Sequence, residues 1–345
     1  MVKKTENGRK ISFLAKKKPQ KDKIVRITND NLEEKRDEII AKGKKFKYPF
    51  QYTKHRLVIN AILIAVAMLV LFVAYGWFEL YQKQNTGDVA FRFTRVLPLS
   101  VAKVDGVPVR YSDYLAFYRG SVSATEQQQG NITDTEDGWR ILQQYKRQAL
   151  DMAEESSYAM KKLKDDYGIE IDKHEIDAVI AGHRGEKSNR AFTEIIAANF
   201  RLTMGEYRRM VKLSLAKKKL SEKMDLEAQQ NVKKVEEILR QNNNNFDVVA
   251  QQMGDKVMIE DGGSELSDLN LDGGRMEVAK KLKVGEVSKA FVSKNGDGYY
   301  IVLLNSKNNK ELQYKSAWVR FKAFNKQMKR IKKSGAVQEY IDIKS

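Results

Sequence analysis

The sequence predicts an α+β protein with a single N-terminal transmembrane helix, then a helical domain, then a small α+β domain. Three observations support this fold class. An uncharged apolar run lies near the N-terminus, apolar residues recur at steps of three or four through the middle of the chain, and paired glycines with short strand-like runs follow Phe246. The first pattern is typical of a membrane span, the second of amphipathic helices, and the third of strands joined by turns.

Composition excludes several classes of protein. The 345 residues include no cysteine and only 3 histidines, which excludes a disulfide scaffold, a cysteine nucleophile and a multi-histidine metal site. We therefore expect no cofactor and no bound metal. The 63 Lys and Arg residues outnumber the 45 Asp and Glu residues, so the formal net charge is +18. This balance favours anionic partners, either a lipid surface or nucleic acid.

Residues 1–56 hold much of the excess positive charge, with 18 Lys and Arg residues against 7 Asp and Glu residues. We interpret them as a disordered basic tail in the cytoplasm that binds the anionic headgroups of the membrane. Nucleic acid is the alternative partner. The tail lacks aromatic residues interleaved for base stacking, so we do not expect nucleic-acid binding.

Residues 57–78 have the composition of a transmembrane helix. They carry no charged side chain, and as a helix they span roughly 33 Å, enough for the hydrocarbon core. A buried core helix and a cleavable signal peptide are the alternatives. The long charged leader and the bulky residues that follow the run favour an uncleaved anchor. Because basic residues cluster before the run, we expect the N-terminus in the cytoplasm and residues 79–345 outside.

Residues 79–100 are interpreted as a stalk, and residues 101–230 as a helical domain. Apolar and polar residues alternate around Asp105 and Gly106, which indicates a hairpin. Two long apolar stripes at helical spacing follow, and Thr203 with Glu206 has the spacing of a capping box before the second.

After Phe246 the pattern changes to that of a small α+β domain. Glycine pairs stand at 262–263 and 273–274, and strand-like runs at 286–292 and 299–304 flank a glycine-rich turn. We assign residues 231–345 to this domain, including a C-terminal extension.

Three segments between Val235 and Leu304 resemble the parvulin (PpiC-type) peptidyl-prolyl isomerase domain. They are EEILRQNNNNFDVVAQQMGD, DGGSELSDL and KKLKVGEVSKAFVSKNGDGYYIVLLNSK. Leu282, Gly285 and Ser288 match the bend that precedes the last strand of that family. The resemblance implies a domain that binds prolyl peptides and isomerises the bond before proline.

The chain departs from this family at both histidine positions. No histidine-bearing strand precedes Val235, and the strand-like segment YKSAWVRF comes after the domain. Trp318 stands where the first histidine is expected, and Tyr300 where the second is expected. We therefore predict a degenerate domain with weak or absent isomerase activity. The resemblance implies catalytic positions at Tyr300, Asp255 and Met276, and substrate-binding positions at Met276, Leu282, Phe291 and Trp318.

Upstream, three further segments resemble the N-terminal domain of the SurA/PrsA-type extracytoplasmic chaperones. They are VAKVDGVPVRYSDYL, YGIEIDKHEIDAVI and TMGEYRRMVKLSLAKKKL. The resemblance implies binding of unfolded or newly exported polypeptides. We therefore expect a membrane-anchored extracytoplasmic foldase or chaperone. An active prolyl isomerase and a non-catalytic scaffold of a cell-envelope complex are the alternatives.

Overall fold

The computed structural model of the protein describes residues 32–54, 56–130, 132, 136–265, 272–308 and 311–343. The chain divides into two compact units, residues 1–74 and residues 75–345. The predicted fold class is confirmed, because a mainly helical region precedes small β-sheets and an apolar helix lies near the N-terminus.

Two helices make up the described part of the N-terminal region. Helix α1 comprises Leu32–Lys54, and helix α2 comprises Arg56–Trp77. The prediction of a disordered tail differs from the structure over α1, where Glu38 forms ion pairs with lysines three residues before it and four residues after it. Such pairs stabilise a solvated helix. Residues 1–31 of the predicted tail lie outside the described residues.

Helix α2 is a candidate membrane span. Among the residues that the structure describes, it is the one helix long and apolar enough to cross a bilayer, and none of its residues is buried. A buried core helix, one of the alternatives from the sequence, does not fit this observation. The helix bounds agree with the predicted span to within one residue, the usual uncertainty of a helix end.

The remaining described elements belong to the second unit. This unit begins at Tyr75, in the last turn of α2, and continues with a π-helical turn at Phe78–Gln82. A 3-10 turn at Gly254–Lys256 precedes the first strand of its larger sheet. The helices are α3 (Asp88–Val96), α4 (Tyr111–Gln129), α5 (Glu136–Tyr167), α6 (Lys173–Arg184), α7 (Asn189–Phe200), α8 (Met204–Met224), α9 (Leu226–Gln241), α10 (Phe246–Met253), α11 (Arg275–Ala279) and α12 (Ala323–Lys333). The strands are β1 (Ser100–Val104), β2 (Val107–Arg110), β3 (Met258–Glu265), β4 (Phe291–Val292), β5 (Gly298–Lys307), β6 (Glu311–Arg320) and β7 (Val337–Glu339).

Helices α4 to α8 form what we call the helical part. The two long helices predicted from apolar spacing are present as α5 and α8, and Leu163 and Leu220 from them are buried in one core cluster. The predicted capping box is also confirmed. The Thr203 hydroxyl accepts a hydrogen bond from the Glu206 amide, and the Glu206 carboxylate accepts one from the Thr203 amide at 2.5 Å.

A three-stranded sheet closes the helical part with residues from both ends of the unit. Strands β1 and β2 form the predicted hairpin, and its turn places Asp105 and Gly106 at φ angles of 47° and 81°. On its other edge β1 pairs with β7, so the sheet order is β2-β1-β7. The C-terminal segment thus returns to the start of the unit.

The C-terminal return differs from the assignment of all of residues 231–345 to the α+β domain. Phe324, Met328 and Ile331 of α12, and Ile341 after β7, belong to the core cluster of the helical part. Helix α12 repeats its apolar side chains at four- and three-residue steps, which suits burial of one face against α8. Burial of these apolar side chains of α12 therefore holds the C-terminal segment on the helical part.

Residues 79–100 also differ from the predicted stalk, because they are packed against the helical part. Leu80 is 2% exposed, and its carbonyl accepts a hydrogen bond of 2.6 Å from the Tyr111 hydroxyl. The Tyr81 hydroxyl donates to the Ser100 carbonyl at 2.8 Å. Aromatic side chains with polar tips hold this segment in place, so the chain is not free to swing here.

The four antiparallel strands of the second sheet lie in the order β3-β6-β5-β4 and form the core of what we call the α+β lobe, residues 226–321. The segment YKSAWVRF lies largely within β6 and is hydrogen-bonded on both sides. Helices α9 and α10 cover one face of the sheet through residues such as Val235 and Val249, and α11 covers part of the other through Met276.

A buried carboxylate, Asp225, joins the two ends of the lobe. It is 4% exposed and stands between α8 and α9. Its Oδ1 atom accepts a hydrogen bond of 2.9 Å from the Ala228 amide and so caps α9. Its Oδ2 atom accepts from the amides of Lys322 at 2.5 Å and Ala323 at 2.9 Å, where the chain leaves the lobe. One side chain therefore fixes the entry and the exit.

An ionic cluster holds the C-terminal return on α5. Arg147 donates to Asp151 and to Glu339 of β7 at 2.8 Å each, and Lys332 of α12 donates to Asp151 at 2.5 Å. Glu154 lies beneath them with a side chain that is 0% exposed, 3.6 Å from Lys332. Both of its oxygens lack a hydrogen-bond partner among the described residues. Burial, reinforced by Glu339, raises the pKa of Glu154 to about 7.

We expect Asp225→Ala to lower the free energy of unfolding by about 2–4 kcal/mol, because it removes a helix cap and leaves two buried amides without an acceptor. Urea unfolding of the full chain in detergent, followed by circular dichroism, measures the loss. Asp172→Ala is the matched control, since Asp172 precedes α6 without a side-chain capping hydrogen bond. Equal losses for the two variants would contradict the role of Asp225.

We expect stability to fall as the pH rises from 4.5 to about 7, because the folded chain keeps a proton on Glu154 that the unfolded chain has released. Glu154→Gln removes this titration. The variant should therefore be more stable than the wild type above pH 7, by on the order of 3 kcal/mol. Unfolding midpoints measured across this pH range test the expectation. Parallel profiles for the two proteins would show that Glu154 does not titrate in this window.

Candidate functional site

One face of the larger sheet brings together three of the predicted site residues. Phe291 of β4 pairs with Tyr300 of β5, and Tyr300 pairs with Trp318 of β6, so all three side chains point to the same face. The Tyr300 ring stacks on Trp318 with centroids 5.5 Å apart and on Phe291 with centroids 6.2 Å apart. We call these three residues the aromatic row.

The other predicted residues lie differently. Met276 of α11 is 2% exposed and belongs, with Leu282 and Phe291, to a small core cluster on this face. Met276 thus contributes to the core beside the row rather than to an open surface. Asp255 is exposed in the 3-10 turn before β3. On β3 the residue that pairs with Trp318 is Met258, so the register gives Asp255 no place in the row.

Two charged residues that the sequence did not single out lie over the aromatic row. The Arg275 guanidinium stands 4.8 Å from the centre of the Tyr300 ring, and its Nη1 atom donates to Glu260 at 2.5 Å and to the Ser316 hydroxyl at 3.3 Å. The Arg320 guanidinium lies over Trp318, 4.1 Å from the centre of the ring. These residues meet only through strand register and the position of α11, which no short motif signals.

The three stacked rings of this surface suit the binding of another ring. Burial raises the pKa of the Tyr300 hydroxyl, so the phenol stays neutral at physiological pH. Phe291 and Trp318 are partly exposed, and the exposed Arg320 side chain lies over the Trp318 ring. The surface can hold a small apolar ring against aromatic side chains.

A larger surface lies between the helical part and the α+β lobe. It is a crevice of about 690 Å³, which we call the interlobe crevice. Half-buried apolar side chains of three helices line its helical side, with the His183 ring nitrogen 2.8 Å from the Tyr207 hydroxyl. Glu277 and Lys294 line its lobe side as an ion pair. The apolar lining comes chiefly from Val179 of α6, Phe200 of α7, and Tyr207, Met210 and Leu215 of α8.

The electrostatics of the crevice favour polypeptide over a small charged ligand. Lys218 is partly buried at its edge, and burial lowers the pKa of its ammonium group. Lys294 is neutralised by Glu277. Among the residues that the structure describes, no group of three or more His, Asp or Glu side chains could hold a metal ion. The crevice therefore presents an apolar wall with few isolated charges.

The comparisons with known proteins bear on the helical part. Residues 50–221 match the family model of the SurA-like N-terminal domain, which extends from α1 to α8. No curated protein and no solved structure matches the chain. The predicted resemblance to SurA/PrsA-type chaperones is confirmed over these residues. The resemblance of the lobe to parvulins stays a prediction.

Proposed function

We propose that the protein is a membrane-anchored extracytoplasmic chaperone that holds unfolded, newly exported polypeptides in the interlobe crevice. The SurA-like N-terminal domain supports a chaperone-type function and an extracytoplasmic location. The observation that carries the proposal further is the crevice itself, which is open, apolar and large enough for several side chains of an extended segment.

The lining suits clients of varied sequence. Burying one Leu- or Phe-sized client side chain contributes about 1.5–3 kcal/mol, and ordering the bound segment opposes this gain. Two or three such side chains therefore support binding that is reversible. Met210, with its flexible thioether, can adapt to side chains of different shape.

Membrane attachment through α2 would keep this crevice where exported chains emerge. Helix α2 supplies the apolar length, and the basic residues before it favour a cytoplasmic N-terminus under the positive-inside rule. The basic tail would then add attraction to the anionic inner leaflet. We propose the same single-pass topology that the sequence predicts.

The α+β lobe would serve as a wall of the crevice, with little or no isomerase activity of its own. Lowering a barrier of about 18–20 kcal/mol needs groups that stabilise the twisted amide. At the two positions where the family resemblance implies histidines, the aromatic row carries Tyr300 and Trp318, which stack on each other. An active isomerase is the second candidate, because the partly exposed rings of Phe291 and Trp318 could still hold a proline.

We expect Leu215→Asp to weaken client holding several-fold, because it places a charge on the apolar wall of the crevice. Light scattering from an unrelated, aggregating client at increasing chaperone concentration measures this. Leu226→Asp is the matched control, since Leu226 is 64% exposed and starts α9, where an acidic residue is tolerated. If the wild type fails to suppress aggregation at excess protein, the scaffold alternative gains and the chaperone proposal falls.

We expect the full chain to accelerate cis–trans exchange of a prolyl peptide no more than an unrelated protein does, because Tyr300 and Trp318 stack on each other and the Arg275 guanidinium beside them is paired with Glu260. Exchange spectroscopy by NMR on a short peptide measures the rate. Trp318→Ala separates the alternatives. Turnover by the wild type that disappears in this variant would establish an active site at the row and reverse our proposal.

A further inference from the structure

Helix α3 presents two different faces. Ala90, Phe91 and Thr94 are buried against the helical part. On the opposite side Val89 is 83% exposed and Val96 is 82% exposed. The two valines lie near the two ends of this nine-residue helix, and both stay exposed among the described residues of the second unit.

Phe93 connects this exposed face to the apolar run. It lies one turn from both valines and therefore shares their face. Its ring lies close to Gly76: a Cβ atom added at Gly76 would be 3.3 Å from the Phe93 ring. Gly76 is part of the uncharged run of residues 57–78. The exposed face of α3 thus stands beside the last turn of the candidate membrane span.

The position of α3 relative to Gly76 is fixed by contacts on both sides. The Tyr111 hydroxyl holds the Leu80 carbonyl at 2.6 Å, just after the span. Arg119 of α4 pairs with Asp88 at the start of α3 at 2.5 Å, and its guanidinium lies 4.8 Å from the Phe91 ring. These contacts hold the start of α3 on α4 and the Leu80 carbonyl on Tyr111.

We propose that α3 docks on the outer leaflet of the bilayer, with Val89 and Val96 among the acyl chains near the headgroups. The inference rests on the membrane anchor of the proposed function and adds a second point of contact to it. Trp77, 53% exposed, suits the same interface, where aromatic rings concentrate. Arg92 lies on the exposed side between the valines, and a guanidinium binds phosphate oxygens well.

The bilayer is the occupant that the geometry favours over a protein partner. Anything that covers this face must also lie against the end of an apolar helix that is itself unburied. Lipid meets both requirements with one partner. The mixture of exposed valines and an arginine is typical of a helix that lies in the interface plane. With α3 on the leaflet, the folded unit is attached at two points and its tilt on the membrane is restricted.

Single-cysteine labelling of the full chain tests the proposal, because the protein has no cysteine of its own. Val89→Cys and Val96→Cys are labelled with an environment-sensitive fluorophore and reconstituted in phosphatidylcholine vesicles that contain phosphatidylglycerol. Part of the lipid carries bromine on the acyl chain, close to the headgroup end in one set of vesicles and near the bilayer centre in a second set that serves the control within the span. We expect both labels to lose most of their fluorescence to bromine quenching and to shift their emission to the blue.

Two control positions separate the possible outcomes. Leu69→Cys lies within the apolar run, and Val284→Cys is 62% exposed in the α+β lobe. Quenching at Leu69, Val89 and Val96 but not at Val284 supports the proposal. Quenching at Leu69 with none at the two α3 positions overturns the docking of α3 and leaves the anchor intact. No quenching at Leu69 overturns the anchor, and the docking of α3 with it. Quenching at Val284 equal to that at Val96 overturns a docking specific to α3.

Discussion

The carboxylate of Asp225 is the interaction on which the arrangement of the second unit depends. It accepts hydrogen bonds from the first turn of α9 and from the two amides that follow β6, so the chain enters and leaves the α+β lobe at one point. One end of the lobe is then continuous with α8 of the helical part, and the other end is continuous with α12, which packs on that part. The pairing of β7 with β1 completes this closure, because the last strand can join the first sheet only if the lobe returns the chain to its starting point.

Features set by local sequence could be predicted, and features set by distant contacts could not. The capping box at Thr203, the hairpin turn at Asp105 and the two long helices each follow from residues a few positions apart. The segment over 79–100 was misjudged because its burial depends on Tyr111, whose hydroxyl reaches back to Leu80 across the hairpin. The C-terminal return was missed for a similar reason, since the partners of α12 lie more than a hundred residues earlier in the chain.

The candidate site divides along the same line. Tyr300 and Trp318 were singled out by position in a family pattern, and strand register brings them into contact although β6 comes after β5 in the chain. Asp255 was assigned to the site by a loose alignment with the family. In the structure the residue of β3 that pairs with Trp318 is Met258. Arg275 and Glu260 belong to no motif. They meet because α11 packs on β5 and β6, from where the Arg275 side chain reaches Glu260 of β3. Stacked rings stand at the two positions where the resemblance implies histidines.

A chaperone that releases its clients needs a binding surface that is apolar but unable to close on itself. The interlobe crevice has this property because its two walls belong to the helical part and to the α+β lobe, and the hydrogen bonds of Asp225 hold the ends of the lobe in place. If the lobe could approach freely, the half-buried apolar residues of α6, α7 and α8 would be covered by its sheet and lost to clients. The hydrogen bonds of Asp225 oppose such a collapse because they restrict the movement of the lobe relative to the helical part. The ion pair of Lys294 with Glu277 opposes it because it keeps two charged groups on the facing wall. On this view the contribution of the lobe is its rigid sheet, which holds the crevice open.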